Sequence, residues 1–130
     1  RGDYLTDPKA LVKHGVTSAH YYQMALQLMI EKLGDVDLYV FSDDPDWVRT
    51  NIQHPNIIFV SDFGFSAEQD LWLISTCQHQ IIANSSFSWW GAYLNDYANK
   101  IIVAPQPWFD AKHMAQQDII PAGWNTLAKS

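Results

Sequence analysis

The sequence has a single cysteine, Cys77, so no disulfide bond can form within the chain. No stretch approaches the roughly 20 apolar residues that a membrane-spanning helix needs, and no signal peptide is visible. Basic residues are also few: 8 Lys and Arg stand against 14 Asp and Glu, which gives a formal net charge of -6. A general nucleic-acid binder needs a basic face for the phosphate backbone, so we expect no nucleic-acid partner.

Several signatures of known chemistry are also missing from the sequence. The glycine-rich dinucleotide fingerprint and the lysine-containing phosphate loop are both absent. The five histidines, at positions 14, 20, 54, 79 and 113, do not have the spacing of zinc ligands. Cys77 lies in an apolar run, which favours a small buried residue over a nucleophile.

Hydrophobic residues, in contrast, are plentiful. The 130 residues are 48% hydrophobic and 14% aromatic, which is enough for the core of one folded domain. Six tryptophans indicate either a large aromatic core or faces that meet a sugar, a nucleoside or another domain.

Helices and strands are predicted to alternate along the chain. Thr17 or Ser18 caps a helix that runs to about Leu33, where Gly34 ends it. The other predicted elements are strands 38–41, 57–60, 80–83 and 100–104 and helices 46–52, 66–77 and 87–97, with Asp43 or Asp44 and Ser66 as caps. Residues 5–15 are predicted to be loop. Pro105 is predicted to end the last strand, and the remainder is irregular apart from a short helix near 111–116. Such alternation is typical of a parallel sheet with helices on both faces.

Polar turns follow three of the predicted strands, at residues 42–44, 61–62 and 84–86. Ligands of such folds bind outside the carboxyl ends of the strands, so these turns line one crevice if their strands are neighbours. In the third turn, Asn84, Ser85 and Ser86 separate an apolar run from an aromatic-rich helix. Their side chains can cap that helix, or its N-terminus can bind a phosphate; the pattern leaves both interpretations open.

Acidic residues at two places also have alternative interpretations. Asp43 and Asp44 can provide a helix cap, or a magnesium-dependent phosphotransfer site like that of a receiver domain, although the matching phospho-acceptor aspartate and lysine are not in evidence. Asp70 lies within an apolar helix, where a buried carboxylate needs hydrogen-bond donors. The paired N–H groups of a guanine base would suit it. Alternatively, Asp70 faces solvent or lies in the first helical turn, where a carboxylate is favoured.

Three blocks of the sequence resemble one known family. Residues 70–94, with the specific string Asn84-Ser-Ser-Phe-Ser-Trp-Trp, look like the signature of the α-1,2-fucosyltransferases, glycosyltransferase family 11. Residues 39–47 (Tyr-Val-Phe-Ser-Asp-Asp-Pro-Asp-Trp) are similar to a second block of that family. Arg1-Gly-Asp-Tyr resembles the end of a third, the His-x-Arg-Arg-x-Asp motif. The blocks occur in the expected order over nearly the whole chain.

The resemblance implies a fold and an activity. The family has the two-domain GT-B architecture and transfers fucose from GDP-β-L-fucose to the 2-hydroxyl of a terminal galactose of a glycan, with inversion and without a metal or other cofactor. Residues 1–130 resemble its C-terminal half, a single Rossmann-like domain that binds GDP-fucose. The implied partners are this donor, a galactose-terminated glycan, and an N-terminal acceptor domain that the sequence does not contain.

The resemblance also implies roles for particular residues. Those expected around the donor are Ser42 and Asp43 beside the nucleoside, Asp70 on the guanine edge, and Asn84, Ser85, Ser86 and the Phe87 amide around the diphosphate. Arg1 and Asp3 correspond to the second arginine and the aspartate of the third block, and are the candidate catalytic residues. The first arginine of that block, which in the relatives binds the β-phosphate, falls before residue 1. We therefore expect the chain to fold, to bind GDP weakly at best and to lack transferase activity.

Other interpretations follow from the same sequence. A non-catalytic α/β module that binds a nucleotide or a glycan through its aromatic residues is the main alternative. For the whole enzyme, the resemblance implies a cytoplasmic protein at the inner face of the membrane if it is bacterial, and a Golgi membrane protein if it is animal.

Overall fold

A computed structural model describes residues 17–108 and 119–130. Its helices and strands alternate as predicted. In chain order they are α1 (Ala19–Leu33), β1 (Leu38–Val40), α2 (Pro45–Asn51), β2 (Ile57–Phe59), a short 3-10 helix (Val60–Phe63), α3 (Ala67–Thr76), β3 (Gln80–Ile81), α4 (Ser86–Tyr93), β4 (Ile102–Gln106) and β5 (Asn125–Ala128). Within the described ranges, no helix combines the length and the apolar character needed to span a membrane.

The strands form two parallel sheets. In the first, β1 pairs with β2, with Leu38 opposite Ile57. In the second, β4 lies between β3 and β5, and Val103 pairs with both Ile81 and Asn125. The predicted parallel α/β fold is thus confirmed. The single sheet that was expected is instead divided in two, because no strand pairing joins β1 to β3 in the described part of the chain.

Helices pack on both faces of the three-stranded sheet, as predicted. Val103 contacts Tyr21 and Met29 of α1 on one face. The next residue, Ala104, packs with Ala92 of α4 on the other. Successive side chains of a strand point to opposite faces, so α1 and α4 enclose β4 between them.

The predicted helix caps are present. The Ser18 hydroxyl accepts a hydrogen bond from the Tyr21 N–H (3.1 Å), and Gly34 ends α1 with a positive φ of 79°. Asp44, rather than Asp43, caps α2. Ser66 forms a capping box at the start of α3, in which side chain and backbone are bonded reciprocally.

The prediction that Pro105 ends its strand is wrong, because β4 continues to Gln106. The Ile82 N–H donates to the Val103 carbonyl (3.0 Å), so the next donor in this ladder would be the N–H of residue 105, which proline lacks. The buried Tyr21 hydroxyl supplies a donor instead, at 2.6 Å from the Ile82 carbonyl oxygen. Proline is therefore tolerated inside the strand.

Two other boundaries differ from the prediction. Helix α4 ends at Tyr93 and not at residue 97, because the buried Asn95 side chain donates to the Gln78 carbonyl (3.0 Å) and to Gln80 Oε1 (2.8 Å) and holds the chain against β3. Strand β5 lies where irregular structure was expected. Its four residues are too few to show an alternating pattern, and pairing with β4 forms it. The predicted loop at 5–15 and helix at 111–116 fall on residues outside the described ranges.

The Tyr21 hydroxyl gives a first prediction about stability. It is fully buried and also lies 3.1 Å from the Val103 carbonyl oxygen. We expect Tyr21→Phe to lower the free energy of unfolding by about 1–3 kcal/mol, because the Ile82 carbonyl is left buried without a donor. Urea denaturation measures the change. Tyr39→Phe, at a side chain that is 47% exposed, is the control and should change stability by less than about 0.5 kcal/mol. Equal effects of the two substitutions would contradict this account.

Candidate functional site

The turns that follow β1 and β2 are joined by a hydrogen bond. The Ser42 N–H donates to the Ser61 hydroxyl (2.7 Å), and the Ser42 hydroxyl accepts from the Asp44 N–H (2.9 Å). Ser42 is therefore fixed and half-buried, whereas Asp43 is exposed at the tip of the turn. Since Asp44 caps α2, the capping interpretation is confirmed for that residue.

Arg49 of α2 also reaches this edge, which the sequence analysis did not recognise. Its guanidinium donates to Asp62 (2.5 Å) and to Asp46 (3.3 Å), and stacks 4.3 Å from the centroid of the Phe59 ring. Only the spacing of three residues from Asp46 could have indicated that Arg49 is paired. Its charge is already balanced by two carboxylates.

The turn after β3 combines a buried anchor with a helix cap. Asn84 is 1% exposed, and its side-chain N–H lies 3.4 Å from the Trp108 carbonyl oxygen. The Ser85 hydroxyl accepts from the Ser88 N–H (3.1 Å) and bonds to the Ser88 hydroxyl (2.9 Å). The capping interpretation is thus confirmed for Ser85. Ser88 is a further polar residue of this turn, and only its spacing from the cap indicated it.

The first turn of α4 presents backbone N–H groups that have no acceptor in the part of the chain that the structure describes. The N–H groups of Ser88 and Trp89 bond to the Ser85 hydroxyl and carbonyl oxygens. The N–H groups of Ser86 and Phe87 lie too near the start of the helix to have a carbonyl acceptor within it. Both residues are exposed. Together with the helix dipole, these N–H groups form a positive end that suits an anion.

Asp70 lies in the first turn of α3 and is half-buried. One of its oxygens, Oδ1, is shielded from solvent and has no hydrogen-bond partner among the described residues. Burial raises the pKa of this carboxyl above its ordinary value. Two of the sequence interpretations therefore agree with the structure. Asp70 lies in the first turn of its helix, and one of its oxygens is shielded and needs a hydrogen-bond donor.

The packing of α3 on α4 relates Asp70 to the third turn. The two helices approach closely at Ile74 and Gly91. One turn earlier in each helix lie Asp70 and Phe87. Helix α3 ends just before β3, and α4 begins just after it. Both helices therefore run antiparallel to the strand and begin at its carboxyl edge. Ser42, which follows β1, and Ser88, in the first turn of α4, line the same cavity at that edge. Arg1 and Asp3 fall outside the described residues.

Cys77 is the single cysteine of the chain. The thiol is half-buried and lies 3.4 Å from the Leu73 carbonyl oxygen, and burial raises its pKa, so it is a poor nucleophile at neutral pH. This agrees with the prediction for Cys77. In residues 17–108 and 119–130, no three His, Cys, Asp or Glu side chains come together as a metal site. Metal independence of the whole enzyme stays a prediction.

Comparison with known proteins gives a consistent set of matches. The model of glycosyl transferase family 11 matches residues 1–128. An alpha-1,2-colitosyltransferase from Escherichia coli is 38% identical over 135 residues, which cover 99% of this chain and 46% of that protein. The O-antigen biosynthesis glycosyltransferase WbnK, also from Escherichia coli, is 44% identical over 112 residues, 84% of this chain and 37% of its own.

More distant relatives come from animals. The galactoside alpha-(1,2)-fucosyltransferase 2 of Gorilla gorilla gorilla is 31% identical over 97 residues, which cover 72% of this chain and 28% of the relative. The chain thus spans less than half the length of these relatives. No solved structure matches it significantly.

Proposed function

The chain belongs to glycosyl transferase family 11, and we propose that it is the part of an α-1,2-glycosyltransferase that holds the donor nucleotide. The reaction proposed for the full-length protein is the transfer of fucose from GDP-L-fucose to the 2-hydroxyl of a terminal galactose of a glycan, with inversion at the sugar carbon. The GT-B architecture proposed for that protein places the acceptor domain outside this chain.

The observation that carries the proposal is the unpaired carboxylate oxygen of Asp70. A shielded oxygen without a donor is costly, so its presence favours a ligand that supplies one. Guanine presents two adjacent N–H groups that one carboxylate can accept together, whereas adenine and uracil do not present that pair. Asp70 is therefore proposed as the residue that selects guanine.

The diphosphate is proposed to bind at the start of α4. The free N–H groups of Ser86 and Phe87, and the hydroxyl of Ser86, are the proposed donors, while Ser85 and Asn84 shape the turn. Ser42 and Asp43 are proposed to lie beside the nucleoside. Because Arg49 is occupied by two carboxylates, further positive charge is proposed to come from arginines near the start of the chain, including Arg1 with Asp3 beside it, and from an arginine that precedes Arg1.

The transferred sugar has a second candidate. The relative that covers 99% of this chain is an alpha-1,2-colitosyltransferase, which favours colitose as an alternative to fucose. Transfer assays of the full-length protein with GDP-fucose and with the corresponding colitose donor decide between them. The candidate with the higher kcat/KM is the donor, and no transfer from either guanosine-linked sugar would overturn the proposal.

We predict that the chain of residues 1–130 folds but transfers no fucose, because the acceptor domain and the arginine expected on the β-phosphate are outside it. Calorimetric titration should show weak binding of GDP, with Kd in the high micromolar range or above, and weaker binding of ADP and UDP. Measurable fucose transfer by residues 1–130 alone would contradict the proposed division of the site. Equal affinity for the three nucleotides would instead favour a module without guanine selection.

The competing functions give different results in the same experiments. A glycan-binding module would bind galactose-terminated oligosaccharides and ignore GDP, and a receiver-like domain would take up phosphoryl groups at Asp43 in the presence of magnesium. Location at the inner membrane face of a bacterium, or in the Golgi of an animal cell, is proposed with the full-length enzyme and is checked by fractionating cells that produce it.

A further inference from the structure

A cavity of about 650 Å³ separates the two sheets. It follows the strands along their length, from Asp37 and His79 near their amino ends to Ser42 and Ser88 at their carboxyl ends. Its walls between those ends include Ile81 and other aliphatic residues of β1, β3 and α1. The shape is that of a slot between two strand edges.

Within residues 17–108 and 119–130, the backbone groups on the two edges that border the slot have no strand partner. The Leu38 N–H donates to the carbonyl of Asn56, the residue before β2 (2.8 Å). The Ile82 N–H donates to the Val103 carbonyl of β4 (3.0 Å). In a parallel strand, the N–H and C=O of one residue point to the same side, and successive residues alternate between sides. Tyr39 and Ile81 therefore direct their N–H and C=O groups into the slot. Such edges are templates for a further strand.

The order of the strands indicates which strand is lacking. Across the cavity, the order is β2, β1, slot, β3, β4, β5. A doubly wound sheet has the order 3-2-1-4-5-6, and removing its first strand leaves this arrangement. Helix α1 packs over both sheets: its Leu26 belongs to a cluster with residues of β1 and β2, whereas Tyr21 and Met29 pack on β4. This is the position of the crossover helix between strands 1 and 2, and the strand that should precede α1 is not among the described residues.

We propose that the slot is filled by one parallel β-strand from the polypeptide that precedes Arg1 in the full-length protein, hydrogen-bonded to Tyr39 on one side and Ile81 on the other. A central parallel strand is buried on both faces and needs a nearly continuous apolar run. The longest such run before Thr17 is three residues, Ala10 to Val12. More than half of each matched relative lies outside the match, so family members have polypeptide that can supply the strand.

The inserted strand would join the two sheets into one of six strands. Its carboxyl end would lie at the same edge as Ser42 and Ser88.

Residue-resolved amide hydrogen exchange tests the proposal, comparing residues 1–130 with the full-length protein. The amides of Tyr39 and Ile81 should exchange on the order of 100-fold more slowly in the full-length protein, relative to the already paired amides of Leu38 and Ile82. Equal exchange of Tyr39 and Ile81 in the two proteins, after that normalisation, would overturn the proposal.

Two further measurements separate other occupants of the slot. If Tyr39 and Ile81 are already protected in residues 1–130 and lose protection when residues 1–16 are deleted, those residues fill the slot and the proposal is wrong. If protection in residues 1–130 rises with protein concentration, a second copy fills it, and the proposal is again wrong. Unprotected amides in residues 1–130 at every concentration, with protection in the full-length protein, support it.

Discussion

Replacing Asp70 by asparagine in the full-length protein should weaken GDP binding by about tenfold to 100-fold. Hydrogen bonds to a charged group contribute about 1.5–3 kcal/mol, and the asparagine side chain offers guanine one acceptor and one mismatched donor in place of two acceptors. Isothermal titration with GDP measures the loss. The ratio of GDP to ADP affinity should fall with it, because the substitution removes the contact that is proposed to discriminate between the bases.

Glu68→Gln provides a matched control for this substitution. Glu68 lies in the same first turn of α3 and loses the same charge, but its side chain is exposed. We expect its GDP affinity to stay within about twofold of the unmodified protein, since an exposed charge contributes little. If both substitutions weaken binding equally, the effect is one of general charge and Asp70 does not contact the base.

The same Asp70→Asn substitution should act in the opposite direction on stability. Burial raises the pKa of Asp70 in the folded protein, so the folded state retains this proton at pH values where the unfolded state has lost it. The unmodified protein therefore loses stability relative to the variant as the pH rises from about 4, the ordinary carboxyl pKa, through the raised value. Below pH 4 the difference should be smallest. Urea denaturation at several pH values, without nucleotide, measures this trend; a variant that is less stable at neutral pH would contradict it.

Local signals in the sequence were sufficient to predict most of the helices and strands. The serine and aspartate caps and the terminal glycine of α1 depend on backbone groups within three or four residues, so sequence spacing reports them directly. The α4 boundary could not be found in this way. The sequence around Asn95 predicts that the helix continues. Only the tertiary contact of Asn95 with Gln80 shows why the helix ends before it.

Long-range contacts also explain the errors at the sheet. Proline normally ends a strand, and its place in β4 depends on a hydroxyl 84 residues earlier in the chain, which no local pattern can reveal. The candidate site shows the same limit. The residue types in the sequence indicated Asp70 and the turn at 84–86. The Asp70 oxygen without a partner among the described residues, and the common edge at which α3 and α4 begin, can be recognised only from the packing of the two helices.

Gly91 is the residue on which that packing depends most directly. The φ angle of Gly91 is negative, so this position does not need the backbone freedom of glycine. It needs the small size of glycine. A Cβ placed on Gly91 would lie 2.4 Å from Cγ2 of Ile74, well inside van der Waals contact. Helix α3 can therefore approach α4 only because position 91 has no side chain. This approach brings the first turns of the two helices, with Asp70 in that of α3, to the same edge of β3.

Gly91→Val should consequently destabilise the chain by more than about 3 kcal/mol, and Gly91→Ala by about 1–2 kcal/mol, since overpacking outweighs the better helix propensity of alanine. Thermal and urea denaturation measure both. Ile74→Leu removes the methyl group at Cβ with little change in volume, so it should recover about 1 kcal/mol in the Gly91→Ala background. Ile74→Val keeps that methyl group and should recover nothing. Equal coupling for the two Ile74 variants would show that the contact at Gly91 does not limit the approach of the helices, and that the position of Asp70 has another cause.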